Sequence, residues 1–268
     1  MSDRSTEPSH ADELLQLGCT LARAAGVLLL QRFAAPGTGV QTKSTATDMV
    51  SDADRAAEAL ILEGIRAARP RDAILGEESG EAAGNSGFRW VVDPLDGTTN
   101  FLYGIGQWAV SIACEDATGP LIGVVYDPVR DELFAAARDG GATKNGNPIA
   151  VSAKTDLSSA LIATGFSYRP AERAASAALL PAVLPAVRDI RRAGAAALDL
   201  AWVACGRLDG YYESPIEWWD IAAGVLLVRE AGGRTAQDLV DGGGVGVVAT
   251  APEIFEPLRA LVASARGL

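Results

Sequence analysis

The stretch that decides the fold lies at residues 90–101 and reads Trp90-Val91-Val92-Asp93-Pro94-Leu95-Asp96-Gly97-Thr98-Thr99-Asn100-Phe101. Its apolar start is typical of a buried strand, which we expect to end at Asp93 because Pro94 removes a backbone donor and fixes φ. The composition after Asp96 is that of a tight turn leading into a helix N-terminus. Carboxylates bind Mg²⁺, and free N–H groups at a helix start bind phosphate oxygens. The stretch therefore indicates metal-assisted phosphate chemistry, although Asp-Pro and Asp-Gly are also ordinary turn pairs.

The composition describes an acidic globular chain. Its 268 residues are 49% hydrophobic and 21% charged, with a formal net charge of −11. That length allows one large domain or two coupled ones. With no basic stripe, we expect neither a nucleic-acid partner nor an anionic membrane. An acidic protein that binds an anionic substrate needs cations at its site, and metal ions would supply them.

Cysteine and histidine are too sparse for several kinds of site. Cys19, Cys114 and Cys205 form no C-x-x-C pair, which argues against a disulfide framework or a zinc-thiolate site and favours a cytoplasmic location. The only histidine, His10, falls in a polar segment, residues 1–10, that we expect to be a disordered tail. Mechanisms that need a histidine are thus nearly excluded. Polar residues and glycines interrupt residues 14–33, so we expect no membrane span and no signal peptide.

Periodicity predicts alternating helices and strands on either side of a soft boundary near residue 154. Before it, we expect helices at residues 12–33 and 51–69, a loop or hairpin at 43–49, a strand at 73–76 and a Gly/Ala/Ser connection at 81–87. Strands at 108–114, 121–126 and 132–137 should form an antiparallel meander. After it, we expect strands at 160–164, 189–192, 208–213 and 245–250. Helices should cover residues 172–189, 194–206, 218–228 and 252–265.

Other charged residues stand where the same chemistry could use them. Glu77 follows a predicted strand that would lie beside the one ending at Asp93, which would bring the two carboxylates together. Asp54 and Asp220 open predicted helices, where capping alone would also explain them. Lys43 could reach a phosphate from its loop, or could be a solvated surface lysine.

Three motifs in register resemble the inositol monophosphatase family of Mg²⁺-dependent, lithium-sensitive phosphatases. They are Gly76-Glu77-Glu78-Ser79, the stretch at residues 90–101, and Trp219-Asp220-Ile221-Ala222-Ala223-Gly224. The resemblance implies an α/β fold, a layered α-β-α-β-α sandwich, and a homodimer. It also implies a site between an N-terminal half, residues 11–153, and a C-terminal half, residues 154–268.

The resemblance implies roles for the acidic residues. One Mg²⁺ would be held by Glu77, Asp93 and the Leu95 carbonyl, and a second by Asp93, Asp96 and Asp220. A third, weaker ion would lie near Glu77, which gives two to three ions per subunit. A water beside Glu77 would be oriented by Thr98, itself paired with Asp54.

The remaining implied residues would bind the substrate, a small phosphorylated polyol or sugar. The phosphate group would bind to the N–H groups of Gly97 and Thr98, next to Asp96. Glu213 would accept hydrogen bonds from hydroxyl groups of the substrate, in a pocket lined by Gly194, Ala195 and Ala196. Phe166 and Glu217 depart from some members of the family.

The predicted reaction is hydrolysis of inositol monophosphate by a metal-activated water. Histidinol phosphate, fructose 1,6-bisphosphate and nucleotide phosphates are alternative substrates. A non-catalytic regulator that binds a protein or RNA is an alternative of another class. A phosphatase with an aspartyl nucleophile would need two aspartates one residue apart, whereas Asp93 and Asp96 are three positions apart.

Overall fold

The described helices pack mainly against an eight-stranded and a five-stranded β-sheet, and two further short strands form a separate pair. The computed structural model describes residues 10–33, 41–42, 49–50, 52–237 and 245–267. The described helices are α1 (His10–Phe33), α2 (Asp52–Ala68), α3 (Thr98–Leu102), α4 (Pro170–Ala177), α5 (Leu180–Val183), α6 (Ala196–Ala204), α7 (Trp218–Glu230) and α8 (Pro252–Arg266). The described strands are β1 (Gln41–Thr42), β2 (Met49–Val50), β3 (Ala73–Gly76), β4 (Gly80–Ala82), β5 (Arg89–Asp96), β6 (Ala109–Asp116), β7 (Gly119–Asp127), β8 (Glu132–Ala137), β9 (Gly141–Lys144), β10 (Asn147–Pro148), β11 (Leu161–Thr164), β12 (Asp189–Arg191), β13 (Gly210–Ile216), β14 (Arg234–Ala236) and β15 (Val245–Thr250).

The larger sheet has eight strands in the order β10-β9-β8-β7-β6-β5-β3-β4, and the smaller has five in the order β12-β11-β13-β15-β14. In the larger sheet β3 runs parallel to β5, while the other pairs are antiparallel. The antiparallel meander predicted for residues 108–137 is confirmed. β1 and β2 pair as a hairpin, and Lys43 between them lies outside the described residues.

Alternating side chains sort the chain into layers. On β5, Trp90 and Val92 pack in the core under α1 and α2, while Val91 points to the core around α6 and α7. On β15, Val247 faces α6 and α7, while Val248 faces the core that contains α5 and α8 residues. Because both faces of the larger sheet are covered, its central strands β5, β6 and β7 are buried nearly throughout. The expected α-β-α-β-α layering is confirmed.

The same packing bears on the division into halves. Val91 from the larger sheet and Val247 from the smaller one belong to a single core cluster around α6 and α7. Both sheets therefore share one apolar layer. The boundary between residues 153 and 154 stays a prediction.

Helix α1 is amphipathic. By length and composition alone it could cross a membrane, which differs from the expectation that residues 14–33 are too interrupted. Its buried side, however, including Leu14, Leu21 and Leu29, packs in the core with α2 and the larger sheet, while Glu13 and Arg23 are exposed on the opposite side. This is the pattern of an amphipathic helix that packs one face against a protein core.

Four predicted boundaries are wrong. His10 is the first residue of α1 and not part of a tail; residues 1–9 lie outside the described residues. Residues 80–82 form the edge strand β4. The helix predicted at 172–189 is divided into α4, α5 and a 3₁₀ turn at Leu184–Ala186, because Pro181 and Pro185 are tolerated only in the first turn of a helical segment.

The fourth concerns the central stretch. β5 does not end at Asp93 but continues to Asp96, since Asp93 pairs with Ser111 and Asp96 pairs with Ala109. Three residues on β5 thus span two on β6. Pro94 lies within this bulge, where the missing N–H breaks no ladder hydrogen bond.

Candidate functional site

A cavity of about 100 Å³ opens where β5 and α3 meet α6, α7 and β13. Its walls contain almost all of the predicted site residues: Glu77, Asp93, Leu95, Asp96, Gly97, Thr98, Gly194, Ala195, Ala196, Glu213 and Asp220. Asp54 lies behind Thr98, to which it is hydrogen bonded. Lys43 cannot be placed, because it lies outside the described residues.

Four carboxylates reach the cavity from three separate segments. Glu77 follows β3, and its N–H donates to the Val92 carbonyl at 3.1 Å, which continues the parallel pairing of β3 with β5. That pairing brings Glu77 beside Asp93, as predicted from the order of the strands. The β5 bulge then brings Asp96 to the same cavity. Asp220 arrives from the first turn of α7.

These carboxyl groups are electrostatically strained. Burial, together with the negative charges of Glu77, Asp96 and Asp220, raises the pKa of Asp93 well above its usual value. Burial raises the pKa of Asp96 to about 7, even though backbone N–H groups of α6 oppose the shift. The pKa of Asp220 is raised in the same way by burial and by Asp96 and Glu77. A nearby cation would remove this strain.

Hydrogen bonds hold the carboxylates in their present positions. Asp93 Oδ1 accepts from the Leu95 N–H at 2.9 Å, and Asp220 Oδ2 accepts from the Glu217 N–H at 3.2 Å. The neighbouring Glu77 side chain contributes to the raised pKa of Asp93. In this arrangement no group of three or more Asp, Glu, His or Cys side chains within the described ranges is gathered closely enough to hold an ion.

The donor set nevertheless fits a hard divalent cation. Buried carboxylates and a backbone carbonyl are the oxygen ligands that Mg²⁺ and Ca²⁺ prefer. A cation at this wall would relieve the repulsion by Glu77, Asp96 and Asp220 that helps to raise the pKa of Asp93. The residues present therefore fit a metal centre.

Thr98 is the first residue of α3, and hydrogen bonds to groups outside the cavity fix its hydroxyl. It donates to Asp54 Oδ1 at 2.8 Å, and the Leu95 carbonyl lies 3.1 Å away. Asp54 is fully buried on α2. The hydroxyl proton is thus directed away from the cavity, which leaves the oxygen of Thr98 able to accept a hydrogen bond.

Gly97 makes the turn from β5 into α3. Its φ of 94° is left-handed, and a Cβ there would lie 2.9 Å from the Gln107 carbonyl oxygen. Three residues later in α3, the side-chain amide of Asn100 donates to the carbonyls of Gln107 at 2.7 Å and Ala193 at 2.8 Å. Asn100 therefore ties α3 to the segment that leads into α6.

The opposite wall of the cavity contains Glu213, which lies in the middle of β13 (Gly210–Ile216) and not at a strand end as its sequence context suggested. Burial raises the pKa of Glu213 to about 7, although the Tyr211 hydroxyl, which donates to it, lowers it. Gly165 provides the space for this carboxylate, because a Cβ there would lie 1.8 Å from Glu213 Oε2. Between the two walls, the short side chains of Ala195 and Ala196 leave the cavity open.

Comparison of the sequence with known proteins shows the family to which the chain belongs. Residues 10–259 match the profile of the inositol monophosphatase family. The chain belongs to that family. It is 44% identical over 247 residues to an inositol-1-monophosphatase from Mycobacterium leprae, covering 88% of this chain and 85% of the relative. It is 46% identical over 213 residues to a protein of Xylella fastidiosa named Nus factor SuhB, covering 79% and 77%.

A solved structure of the family has the same fold. The extragenic suppressor protein suhB from Bartonella henselae superposes with a TM-score of 0.87 and 41% sequence identity, covering 93% of this chain and 98% of that one. The family resemblance inferred from the three motifs is confirmed, and so is the fold class.

Within this inositol monophosphatase cavity are residues that the sequence reasoning missed. Asp199, in the first turn of α6, lines the cavity with an Oδ1 atom that has no hydrogen-bond partner among the described residues, and burial raises the pKa of Asp199. Arg192 lies at the rim, with its guanidinium 5.8 Å from the Phe166 ring. The only available signal was proximity in sequence to Gly194. Glu217 is the N-cap of α7 and forms a capping box with Asp220, so Asp220 itself is not the cap.

Proposed function

We propose that this chain is a Mg²⁺-dependent phosphomonoesterase that hydrolyses inositol monophosphate to inositol and phosphate. The observation that supports this most is the convergence of Glu77, Asp93, Asp96 and Asp220 on one cavity beside the N-terminus of α3. Membership in the inositol monophosphatase family supports the same reaction class.

The acidic wall would hold two ions, with a third near Glu77. Glu77, Asp93 and the Leu95 carbonyl are the ligands we assign to the first, and Asp93, Asp96 and Asp220 those we assign to the second. Bound Mg²⁺ supplies an activated water and neutralises charge on the phosphate and the leaving oxygen. Because the pKa values of Asp93, Asp96 and Asp220 are raised, ion binding would be accompanied by release of protons from these carboxyl groups.

Glu77, Thr98 and Asp54 would orient the nucleophile. Because the Thr98 hydroxyl donates to Asp54, its oxygen lone pairs can accept a hydrogen bond from a water. Glu77 would accept a hydrogen bond from the same water and receive its proton. The water would then be held in line with the phosphorus atom, and such positioning accounts for much of the rate in phosphoryl transfer.

The two remaining walls would bind the ends of the substrate. The N–H groups of Gly97 and Thr98 begin α3, where the helix dipole favours an anion, and would donate to phosphate oxygens. Glu213 would accept hydrogen bonds from hydroxyl groups of the leaving polyol. Gly194, Ala195 and Ala196 would leave room for its ring.

A panel of phosphate esters tests the substrate. Inorganic phosphate release would be measured with inositol 1-phosphate, histidinol phosphate, fructose 1,6-bisphosphate and a nucleoside monophosphate, each with Mg²⁺. We expect inositol 1-phosphate to have the highest kcat/KM. Equal or better turnover of histidinol phosphate would reject the inositol assignment while leaving the phosphatase assignment intact.

A binding role is the second candidate, because relatives 40 to 46% identical are named Nus factor. The net charge of −11 favours a protein over RNA as its partner. Asp93→Asn separates the two roles: it removes a carboxylate from the cavity without altering the outer surface. Loss of turnover with loss of the cellular phenotype supports catalysis, whereas loss of turnover with an unchanged phenotype supports binding.

Three further properties belong to this proposal: a homodimer, a cytoplasmic location and inhibition by lithium. Sedimentation of the purified chain tests the first, and fractionation of the source cells the second. For the third, we expect phosphate release to fall as Li⁺ is added at fixed Mg²⁺.

A further inference from the structure

Helix α2 directs two buried carboxylates at the candidate site from one turn of the same face. Asp54 is 0% exposed and Glu58 is 4% exposed. Asp54 accepts from Thr98. Glu58 lies four residues later, so it points in nearly the same direction one turn further along the helix.

Glu58 binds the turn that follows Glu77. One carboxylate oxygen, Oε1, accepts from the Glu78 N–H at 3.3 Å, from the Ser79 N–H at 3.3 Å and from the Ser79 hydroxyl at 3.1 Å. A charged acceptor inside the protein strengthens each of these bonds. Three donors on one oxygen define the position of this turn.

The close approach of Glu58 depends on a glycine. A Cβ on Gly76 would lie 2.0 Å from Glu58 Oε1 and 2.6 Å from the Ser79 hydroxyl oxygen. The glycine of the Gly76-Glu77-Glu78-Ser79 motif therefore makes room for the carboxylate of α2. This explains in physical terms why the motif begins with glycine.

Glu77 is consequently fixed on both sides. Its own N–H is bonded to the Val92 carbonyl, in the residue before Asp93, and the next two residues are bonded to Glu58. The backbone of Glu77 cannot shift without breaking one of these attachments. Its carboxylate is thereby held beside Asp93.

We propose that Glu58 is a positioning residue that fixes Glu77 relative to Asp93. Through Asp54 and Glu58, α2 sets the spacing between Thr98 and Glu77, the two groups that would orient the water. Glu58 itself touches neither substrate nor ion. This inference rests on the proposed function, since it concerns the ion-binding role of Glu77.

Binding of Mn²⁺ to the full chain provides the test, with free Mn²⁺ measured by electron paramagnetic resonance. Glu58→Ala removes all three bonds, and Glu58→Gln keeps an oxygen acceptor of the same size. Glu63→Ala is the matched control, because Glu63 is exposed on the same helix. We expect the Mn²⁺ dissociation constant to rise at least tenfold in Glu58→Ala, less in Glu58→Gln, and not at all in the control.

The alternative is a purely structural role. In that case Glu58→Ala would lower Tm but bind Mn²⁺ as tightly as the wild type well below Tm, and the proposal would be overturned. It would also be overturned if neither Glu58 variant gave a native circular dichroism spectrum. Wild-type protein that binds Mn²⁺ but hydrolyses none of the esters would reject the proposed function alone, and the comparison of variants would still decide the role of Glu58.

Discussion

The carboxylate of Asp96 accepts a 2.7 Å hydrogen bond from the backbone N–H of Ala197, 101 residues further along the chain. The N–H of Ala196 donates to the other oxygen at 3.1 Å. Strand β5 and helix α6 are thus joined at the cavity itself. Because a helix N-terminus has unsatisfied donors and a positive dipole end, it keeps a carboxylate in a place where burial alone would favour its neutral form.

Gly97→Ala should lower the free energy of unfolding by more than the left-handed backbone conformation at residue 97 alone would cost. A φ of 94° costs alanine about 1–2 kcal/mol. Contact of the new Cβ with Gln107 and Ala195 should add about 1–3 kcal/mol. Gly104→Ala is the control, because its φ is 70° and nothing lies within 4 Å of a Cβ there. Urea unfolding measures both, and equal losses would show that the close approach is unimportant.

Thr98→Val should lower kcat for phosphate release by about 10²- to 10³-fold, because it removes the hydroxyl that would orient the water. Thr98→Ser keeps that hydroxyl and should retain most of the activity. Thr99→Val is the neighbouring control, since the Thr99 hydroxyl lies 3.3 Å from the Tyr168 hydroxyl, whereas the Thr98 hydroxyl is bonded to Asp54. A similar kcat in Thr98→Val and Thr99→Val would remove Thr98 from the mechanism.

In the presence of a chelator, the protein should be more stable near pH 5.5 than near pH 8. Burial raises the pKa of Asp96 from 3.8, and that of Glu213 from 4.5, to about 7. A carboxyl group with a raised pKa binds its proton more tightly in the folded chain than in the unfolded chain. The free energy of unfolding therefore falls as the pH rises from the pKa of the unfolded chain's carboxyl group to about 7. Arg207 lowers the pKa of Glu132 below its usual value, so Glu132 changes the stability only at pH values below this range.

The measurement is Tm across this pH range, with and without Mg²⁺. Ions bound to the carboxylates should raise Tm most at pH 8, where the uncompensated charge is greatest. The pH dependence should therefore become smaller when Mg²⁺ is present. A Tm that rises steadily from pH 5.5 to pH 8 in chelator would contradict the assigned shifts.

Sequence reasoning found those parts of the site that depend on local order along the chain. Glu77 could be placed beside Asp93 because two strands separated by a short connection end at the same edge. The bulge at Pro94 was missed because a proline that breaks a ladder and a proline accommodated in a bulge look alike in sequence.

Other features needed the tertiary structure. Asp199 on α6 and Arg192, which precedes α6, line the cavity because this part of the chain packs beside β5 and β13. No pattern in a single sequence predicts that packing. Glu58 occupies an ordinary buried position of an amphipathic helix. Only the contact with the Glu78–Ser79 turn distinguishes it from a residue that stabilises the helix.

The most direct test of the account is a crystal structure of the protein with Mn²⁺ and inorganic phosphate, in which anomalous scattering locates the ions. The account predicts at least two Mn²⁺ peaks between Glu77, Asp93, Asp96 and Asp220, with phosphate against the N–H groups of Gly97 and Thr98. Mn²⁺ at other positions only, or a cavity with phosphate but no ion near Asp93, would contradict it.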